Sequence, residues 1–341
     1  MANYLTSNLA KAQAKLIQRF GSADKRFRDP AVHKLFLRNA QIMFPDYEML
    51  RTREDRTVEA YFNEQTSRAL GTGRSHNHTG GKGNSGVLTP AWTTYNDKFS
   101  ISLKQADNNI YSLEEMFMNE IENTIRNFMK GLETVSSTYL FNNRSGVNVA
   151  TAEGTFNGVQ DVFEVAVANI ERFLQIAITS MDVNEYQGMR YSVVADTVMW
   201  NRLNFQFNQG SANSTNLSFQ FGGVEIIHSP DLSTLAGGLG SPYTQGFMIL
   251  VPEGMIGALP WIPKQNRAGV INVENSYGAI MNPFDAQQYA MHSYMERADE
   301  TATNGYTQDT LTQYELSLDI AYEHAPLSTV NETPIMAFGI V

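Results

Sequence analysis

The chain has 341 residues, of which 42% are apolar and 18% are charged, and it contains no cysteine. This balance supplies a large buried core and excludes global disorder, while the missing cysteine excludes disulfides, thiolate metal sites and cysteine nucleophiles. The first residues lack the pattern of a secretory signal, and no apolar run reaches the ~18–20 residues of a membrane span. We therefore expect a soluble protein that is made inside the cell.

Charge is distributed unevenly along the chain. The net charge is −10, yet residues 1–40 hold eight basic and two acidic side chains. A basic arm on an acidic body indicates an anionic partner, for which nucleic acid and the acidic body of a neighbouring copy are both candidates. A solvated helix face is the alternative explanation.

The N-terminal segment is predicted to form two helices. Apolar residues at spacings of three and four predict a helix over residues 5–20 that ends at Gly21. A second apolar pattern runs from Val32 to Phe44 and ends at Pro45. We expect this segment to pack on another surface, because its short helices offer little core of their own.

Residues 57–104 are predicted to form two long strands, one running to about Ala69 and the other from Ala91 to Leu103. Six of the sixteen residues between Gly71 and Gly86 are glycine. A hairpin of this length is marginal alone in water, so it needs a surface such as a neighbouring subunit.

Residues 112–141 carry the clearest helical pattern. Ser112 and Glu115 form a capping box, and apolar residues then follow at spacings of three and four. About thirty residues at ~1.5 Å each predict a rod of ~45 Å. Gly131 in its interior costs ~1 kcal/mol relative to alanine and marks a close contact or a bend.

The remaining elements alternate between helix and strand. Helices are predicted over 159–181 and 198–203, the second capped by Asp196 or Thr197. Strands are predicted over 191–195, 221–227, 247–251, 314–322 and 334–341, with loops over 208–216 and 232–241.

Few residues carry the pattern of a reactive site. His76 and His78 alternate in the glycine-rich segment and form a candidate metal site without evident further ligands. Gly80 to Gly83 resembles a phosphate-binding loop, but no helix follows it. We expect no catalytic residue, no bound metal and no cofactor.

The order of these elements resembles the major capsid proteins of tailed bacteriophages, which have the α+β Hong Kong 97-like fold. The resemblance rests on a basic arm, a glycine-tipped hairpin and a long helix opened by 109–115. It continues through the strand and helix of 190–203, the glycine-led strand of 221–230 and the strand and turn of 246–254. Each motif is weak alone, and their joint order carries the resemblance.

The resemblance implies five segments: an N-terminal arm (1–56), an extended-loop hairpin (57–104), a peripheral domain with a spine helix (105–150), an axial domain (151–280) and a return to the peripheral domain (281–341). Spine positions are Leu113, Phe117, Ile121, Ile125, Phe128 and Leu132. Residues at the tip of the extended loop are Gly71, Gly73, Gly80, Gly81, Lys82, Gly83 and Gly86. Arm residues expected to face another subunit or DNA are Leu5, Leu9, Lys11, Lys15, Leu16, Arg19, Phe20, Lys25, Arg26 and Arg28.

The resemblance also implies a function. Many copies, as pentamers and hexamers, form an icosahedral head around double-stranded DNA, and the head is assembled in the host cytoplasm. The expected partners are further copies, a separate scaffolding protein, a portal, a decoration protein and non-specifically bound DNA, with no membrane. The loops near 208–216 and 235–242 are predicted to lie around the symmetry axes.

Two alternatives remain open at this point. An encapsulin-like bacterial compartment shares the fold and encloses enzymes instead of a genome. A soluble metal-dependent enzyme that uses His76 and His78 belongs to a different functional class.

Overall fold

Two large β-sheets, a separate two-stranded hairpin and one long helix form most of the described part of the chain. The computed structural model describes residues 2–21, 28–44, 47–63, 70, 72–73, 80, 82–102, 113–208, 218–221, 224–239, 241–271, 275–298, 309–327, 329 and 331–341. The helices are α1 Ala2–Gly21, α2 Ala31–Met43, α3 Tyr47–Thr52, α4 Leu113–Asn142, α5 Phe173–Val183, α6 Thr197–Asn208, α7 Pro230–Gly237 and α8 Lys264–Ala268. The strands are β1 Ala60–Asn63, β2 Ser85–Leu88, β3 Thr93–Ser102, β4 Gly154–Asn157, β5 Val162–Val165, β6 Tyr191–Ala195, β7 Ser218–Phe221, β8 Val224–His228, β9 Phe247–Pro252, β10 Ile256–Trp261, β11 Asn275–Met281, β12 Gln288–Ala298, β13 Asp309–His324 and β14 Met336–Ile340.

The first sheet has seven strands in the order β4-β5-β14-β9-β6-β8-β7. It is mixed, because β14 runs parallel to β5 and β6 runs parallel to β8 while the other neighbours are antiparallel. Its central strands are buried on both faces, so β9 reads as a continuous apolar run. Val193 packs with α5 and α6 on one face, and its neighbour Val194 belongs to the core on the other face.

The second sheet is organised by β13, the longest described strand. One edge of β13 pairs with β3, and the opposite edge pairs with β12 and then with β10. β11 extends the sheet beyond β12. The strand predicted over 314–322 from its alternating pattern is therefore confirmed, and it pairs along both of its edges.

Helix α4, called the spine helix below, lies between the sheets and is buried along most of its length. One side packs on β3 and β13, and the other contacts α1, α2 and α7. The predicted helix over 112–141 is confirmed, and its positions Phe117, Ile121 and Ile125 are almost fully buried. Leu113 is half-buried, and the proposed cap Ser112 lies outside the described residues.

The predicted hairpin over 57–104 is wrong in its pairing. β1 pairs with β2 through the register Ala60↔Leu88, whereas Thr93–Ser102 joins the second sheet beside β13. The alternating pattern of that strand fits a ten-residue partner on β13 better than a free hairpin arm, because β13 offers it a buried face. The described ladder of the hairpin therefore consists only of Ala60–Asn63 paired with Ser85–Leu88. Residues 64–69 lie outside the described residues.

Two further predictions are wrong. Residues 159–181 are not one helix: Val162–Val165 form a strand, Val167–Arg172 a 3-10 helix and only Phe173–Val183 an α-helix. The β-branched and aromatic residues of β5 pair with the distant β14, and tertiary contact overrides the local helical spacing. The glycine-rich loop predicted over 232–241 is mostly α7, which Pro230 opens at its first helical position.

Sheet membership does not follow the residue ranges of the five expected segments, and the roles of those segments stay predictions. β10 and β11 lie before residue 281 yet belong to the second sheet, while β14 near the end belongs to the first. The chain thus leaves the first sheet after β9 and returns to it at β14. The helices and strands predicted over 5–20, 32–44, 191–195, 198–203, 221–227, 247–251 and 334–341 are confirmed within a few residues.

Phe36 offers a test of how α2 is held. Its ring lies edge-to-face on Tyr139 of the spine helix and on Tyr322 of β13, at centroid distances of 5.7 and 5.1 Å. Because Phe36 is fully buried, Phe36→Ala should lower the free energy of unfolding of the unassembled subunit by about 3–5 kcal/mol. Ile42→Ala, at a largely exposed site of the same helix, should cost about 1 kcal/mol or less. Urea unfolding of both variants checks this, and equal losses would contradict it.

Candidate assembly surfaces

The arm is fixed to the spine helix by a buried carboxylate. No side chain of its own caps the first turn of α2, which follows Pro30. Instead, the backbone N–H groups of Val32 and His33 donate to Oε2 of Glu133 at 2.9 and 3.4 Å. A carboxylate at a helix N-terminus satisfies unpaired donors and complements the helix dipole. Burial raises the pKa of Glu133 to about 7, so the carboxylate is held at a cost in desolvation.

A second set of buried polar groups continues from the same turn. His33 Nδ1 lies 2.9 Å from the Tyr322 hydroxyl, and its Nε2 lies 3.9 Å from Oδ2 of Asp285. The Tyr289 hydroxyl donates to that same carboxylate oxygen at 2.6 Å. Burial lowers the pKa of His33 to about 3 and raises the pKa of Asp285 to about 6. The arm, β13 and the turn before β12 therefore meet at one dry polar contact.

The cations of the arm are divided between the subunit and the solvent. Lys11 pairs with Glu114 at 3.1 Å, and Arg28 pairs with Asp231 of α7 at 2.9 Å. Lys15 is exposed and makes no ion pair with any residue that the structure describes. Two of the predicted partner-facing cations thus bind the acidic body of their own chain.

The apolar residues of the arm also pack within the chain. Leu9 and Leu16 are 8% and 3% exposed and belong to the core around the spine helix. In this conformation they face the core of their own subunit, whereas the sequence predicted that they face another subunit or DNA. The side chains of Leu5, Arg19, Phe20, Lys25 and Arg26 lie outside the description.

The hairpin stands on a small apolar cluster. Val58 is buried there with Phe44, Tyr47 and Leu259, and Trp92 packs against it. Above this root, alternation gives the hairpin two faces. One face is half-buried, and on it the Phe62 ring lies so close to Gly86 that a Cβ there would be 2.5 Å from the ring.

The other face of the hairpin is uncovered. Tyr61 and Val87 are direct cross-strand partners and are 76% and 49% exposed. Leu70, near the tip, is 99% exposed. Of the predicted tip residues, Gly73, Gly80, Lys82, Gly83 and Gly86 lie within the described part, and Gly71 and Gly81 lie outside it. The hairpin thus presents apolar side chains that no described residue of its own chain covers.

Residues for metal or catalytic chemistry do not converge in the described part. His76 and His78 lie outside it, and within it no three histidine or acidic side chains are arranged to hold a metal ion. A cavity of about 890 Å³ between the 3-10 helix, α5 and α6 is lined by Glu171 and Arg202 but by no histidine. None of the described helices has both the length and the apolar character of a membrane span.

Glu133 and His33 were missed by the sequence reasoning. A signal for Glu133 exists, because Met129, Leu132, Ser136 and Leu140 lie three or four residues apart around it on a second buried face of the spine helix. A carboxylate inside such a stripe indicates a buried partner. His33 carries no comparable signal, since its partners come from distant strands.

Comparison with known proteins establishes the fold. No family model and no curated relative matches the chain. A chain of the capsid asymmetric unit of cyanophage Pam1 aligns with a TM-score of 0.50 at 12% identity, over 93% of this chain and 94% of that one. A chain of the cyanophage A-1(L) capsid asymmetric unit aligns at 0.49 with 10% identity, and one from Mycobacterium phage Che8 at 0.48 with 8%, each over the same shares. The α+β major capsid fold that the sequence predicts is therefore confirmed.

Glu133→Gln tests the cost of the buried carboxylate. The pKa of Glu133 is about 7 in the folded chain against the ordinary 4.5, so the folded state holds an extra proton between these pH values. The free energy of unfolding contributed by this group therefore falls as pH rises from about 4.5 to about 7. Glutamine keeps an oxygen acceptor and never ionises. The variant should match the wild type near pH 5 and exceed it at pH 8 by up to about 3 kcal/mol.

Urea unfolding of the unassembled subunit at several pH values measures this difference. Taking the variant relative to the wild type removes the contributions of His33 and Asp285, which titrate in both. Glu120→Gln, at a partly exposed site of the same helix, is the matched control. Parallel profiles for Glu133→Gln and the wild type between pH 5 and pH 8 would contradict the prediction.

Proposed function

We propose that the chain is a major capsid protein, many copies of which assemble as pentamers and hexamers into the icosahedral head of a tailed bacteriophage. The observation that carries the proposal is the alignment with the Pam1 capsid chain, which spans nearly all of both chains. The alignment therefore extends over far more of the chain than one submodule. The role is structural, and no enzymatic step is assigned.

The geometry supports a subunit that builds a shell. The spine helix is packed on both sides and gives the subunit a rigid centre. A shell subunit needs such a rigid part to hold its contact surfaces in fixed positions. The hairpin projects from an apolar root with its Tyr61 and Val87 face uncovered. Assemblies gain stability from many such contacts between neighbours, each burying a modest area. A hairpin too small to stand alone is suited to that use.

The genome is the second proposed partner. Lys15 makes no ion pair with any described residue, and the sequence adds the basic residues Arg19, Lys25 and Arg26 to the same arm. Together they supply positive charge for DNA phosphates. Such contact is independent of sequence and sensitive to salt. The rest of the chain is strongly acidic, which opposes close contact between DNA and the body and confines DNA binding to the arm.

The remaining partners and the location follow from the same proposal. A separate scaffolding protein, a portal and a decoration protein complete the head, which is assembled in the host cytoplasm and ends as the virion capsid. The axial role of the first sheet and the peripheral role of the second are part of the proposal. The segments near 208–216 and 235–242, the second of which begins in α7, are proposed to lie at the symmetry axes.

Removal of residues 1–28 should abolish closed shells. The deletion uncovers the apolar surface on which Leu9, Ala12 and Leu16 pack and removes the Arg28–Asp231 pair. Wild-type and truncated chains are expressed alone and with a candidate scaffolding protein and imaged by negative-stain electron microscopy. Circular dichroism shows whether the truncated subunit still folds. Normal shells from the truncation would contradict the role of the arm, and a wild type that stays monomeric in both conditions would contradict the capsid function.

Neutralising the arm should separate shell formation from genome retention. Substituting Lys15, Arg19, Lys25 and Arg26 together by glutamine should leave shells intact and reduce the DNA that purified particles hold, because phosphate neutralisation is lost. The ratio of nucleic-acid to protein absorbance in purified particles, and the release of DNA as salt is raised, measure the loss of DNA. Lys264→Gln on α8, where the lysine pairs with Glu54, is the control. Unchanged DNA content would contradict DNA binding by the arm, and wild-type particles that hold protein cargo without DNA would favour an encapsulin-like compartment.

A further inference from the structure

We propose that a pocket beside Gly131 on the spine helix receives Tyr61 from a second copy of this chain. The hairpin of one subunit would thereby dock on the spine helix and β3 of its neighbour. The inference rests on the proposed function, because it requires copies that lie side by side, and it names the residues that join them.

The pocket is an open space of about 260 Å³ between the spine helix and β3. Phe128 and Leu132 are buried and form its floor, and the half-buried Tyr95 and Val135 line its walls. Asn127 and Asp97 stand at the rim, where the Asn127 amide donates to Oδ2 of Asp97 at 2.9 Å. An apolar floor with a polar rim suits a phenol, whose ring is buried while its hydroxyl stays at the edge.

Gly131 keeps this pocket open. Glycine inside a helix is destabilising by ~1 kcal/mol relative to alanine, so its presence calls for a reason. A Cβ built at Gly131 meets no atom within 4 Å, and Gly131 is absent from the positions with positive φ. Neither packing nor backbone conformation within the described chain requires glycine there. We therefore infer that the space is kept for a group that comes from outside the subunit.

The hairpin supplies a group of matching chemistry. Tyr61 is the most exposed aromatic residue of the described hairpin strands, and Val87 lies directly across from it. In the same chain Tyr61 remains 76% exposed and the pocket remains empty of side chains. The two features are therefore free to meet between different copies.

Charge on the two surfaces is complementary. Glu59 lies on the exposed face of the hairpin and accepts a hydrogen bond from the Tyr61 hydroxyl at 2.8 Å. Lys130 adjoins Gly131, is exposed, and forms no ion pair with any residue in the described ranges. Docking of Tyr61 in the pocket brings the Glu59 carboxylate toward Lys130. The Glu59 carboxylate thus gains a cationic partner on the neighbour, while the Asp97 carboxylate at the rim is engaged by the Asn127 amide.

Substitutions at Gly131 separate subunit stability from assembly. Gly131→Ala should raise the urea midpoint of the isolated subunit and lower its yield of shells. Gly131→Leu, which fills the pocket, should raise the protein concentration needed for assembly by about tenfold or more. Asn119→Leu, at an exposed site of the same helix about 18 Å away along its axis, is the matched control and should assemble like the wild type.

A charge exchange tests the pairing itself. Lys130→Glu and Glu59→Lys should each weaken assembly, and the double variant should restore it toward the wild-type concentration dependence. Because the chain has no cysteine, Val87→Cys beside Tyr61 combined with Asn127→Cys at the pocket rim places just two thiols in the molecule and keeps Tyr61 and Gly131. A short bis-maleimide should then give a ladder of covalent oligomers from shells on a denaturing gel, whereas a link within one chain leaves monomers.

The outcomes distinguish this inference from the proposed function. Shells from the wild type, together with wild-type assembly by Gly131→Leu, Lys130→Glu and Glu59→Lys, would overturn the docking site and leave the capsid function standing. Failure of the double charge variant to recover would overturn the Glu59–Lys130 pair. A wild type that forms no shells under any condition would overturn the proposed function, and the docking site with it.

Discussion

The subunit depends on one helix that is buried on two sides. An ordinary amphipathic helix covers a single apolar stripe, but the spine helix has one stripe against β3 and β13 and another against α1, α2 and α7. Near its C-terminal end the Phe141 ring lies 6.0 Å from the Phe247 ring of β9, so the same helix contacts both large sheets. The arm is held to the same helix by Glu133, which ties the N-terminal segment to the centre of the fold.

The helices and strands that could be predicted from the sequence are those with a long periodic pattern of apolar residues. The 3.6-residue spacing of the spine helix and the alternation of β13 were sufficient, because each pattern persists over many residues. The pairing of strands was not predictable in this way. β3 has a better partner in β13 than in β1, and β5 pairs with β14 across some 170 positions of sequence. Spacing along the chain carries no information about such partners, and short apolar runs such as 162–165 fit helix and strand equally well.

The candidate assembly surfaces were likewise only partly predictable from the sequence. The charge of the arm and the glycine-rich hairpin are visible in composition, whereas their contacts are not. Leu9 and Leu16 face inward and Lys11 pairs with Glu114 because the spine helix lies beside them. The apolar spacing around Glu133 indicates that it is buried, but only the structure shows that its partner is the first turn of α2. Gly131 is unusual already in the sequence, and in the structure no close contact with a described residue explains it.

The position of β14 has a consequence for how the first sheet forms. This strand, residues 336–340, lies between β5 and β9 in the interior of the seven-stranded sheet, not at an edge. Until β14 is in place, the pair β4-β5 and the group β9-β6-β8-β7 have no backbone hydrogen bonds to each other within the described sheet. Long-range pairing of this kind is slow to form. The strand that closes the sheet is therefore the last described strand in chain order, and its loss would divide the sheet in two.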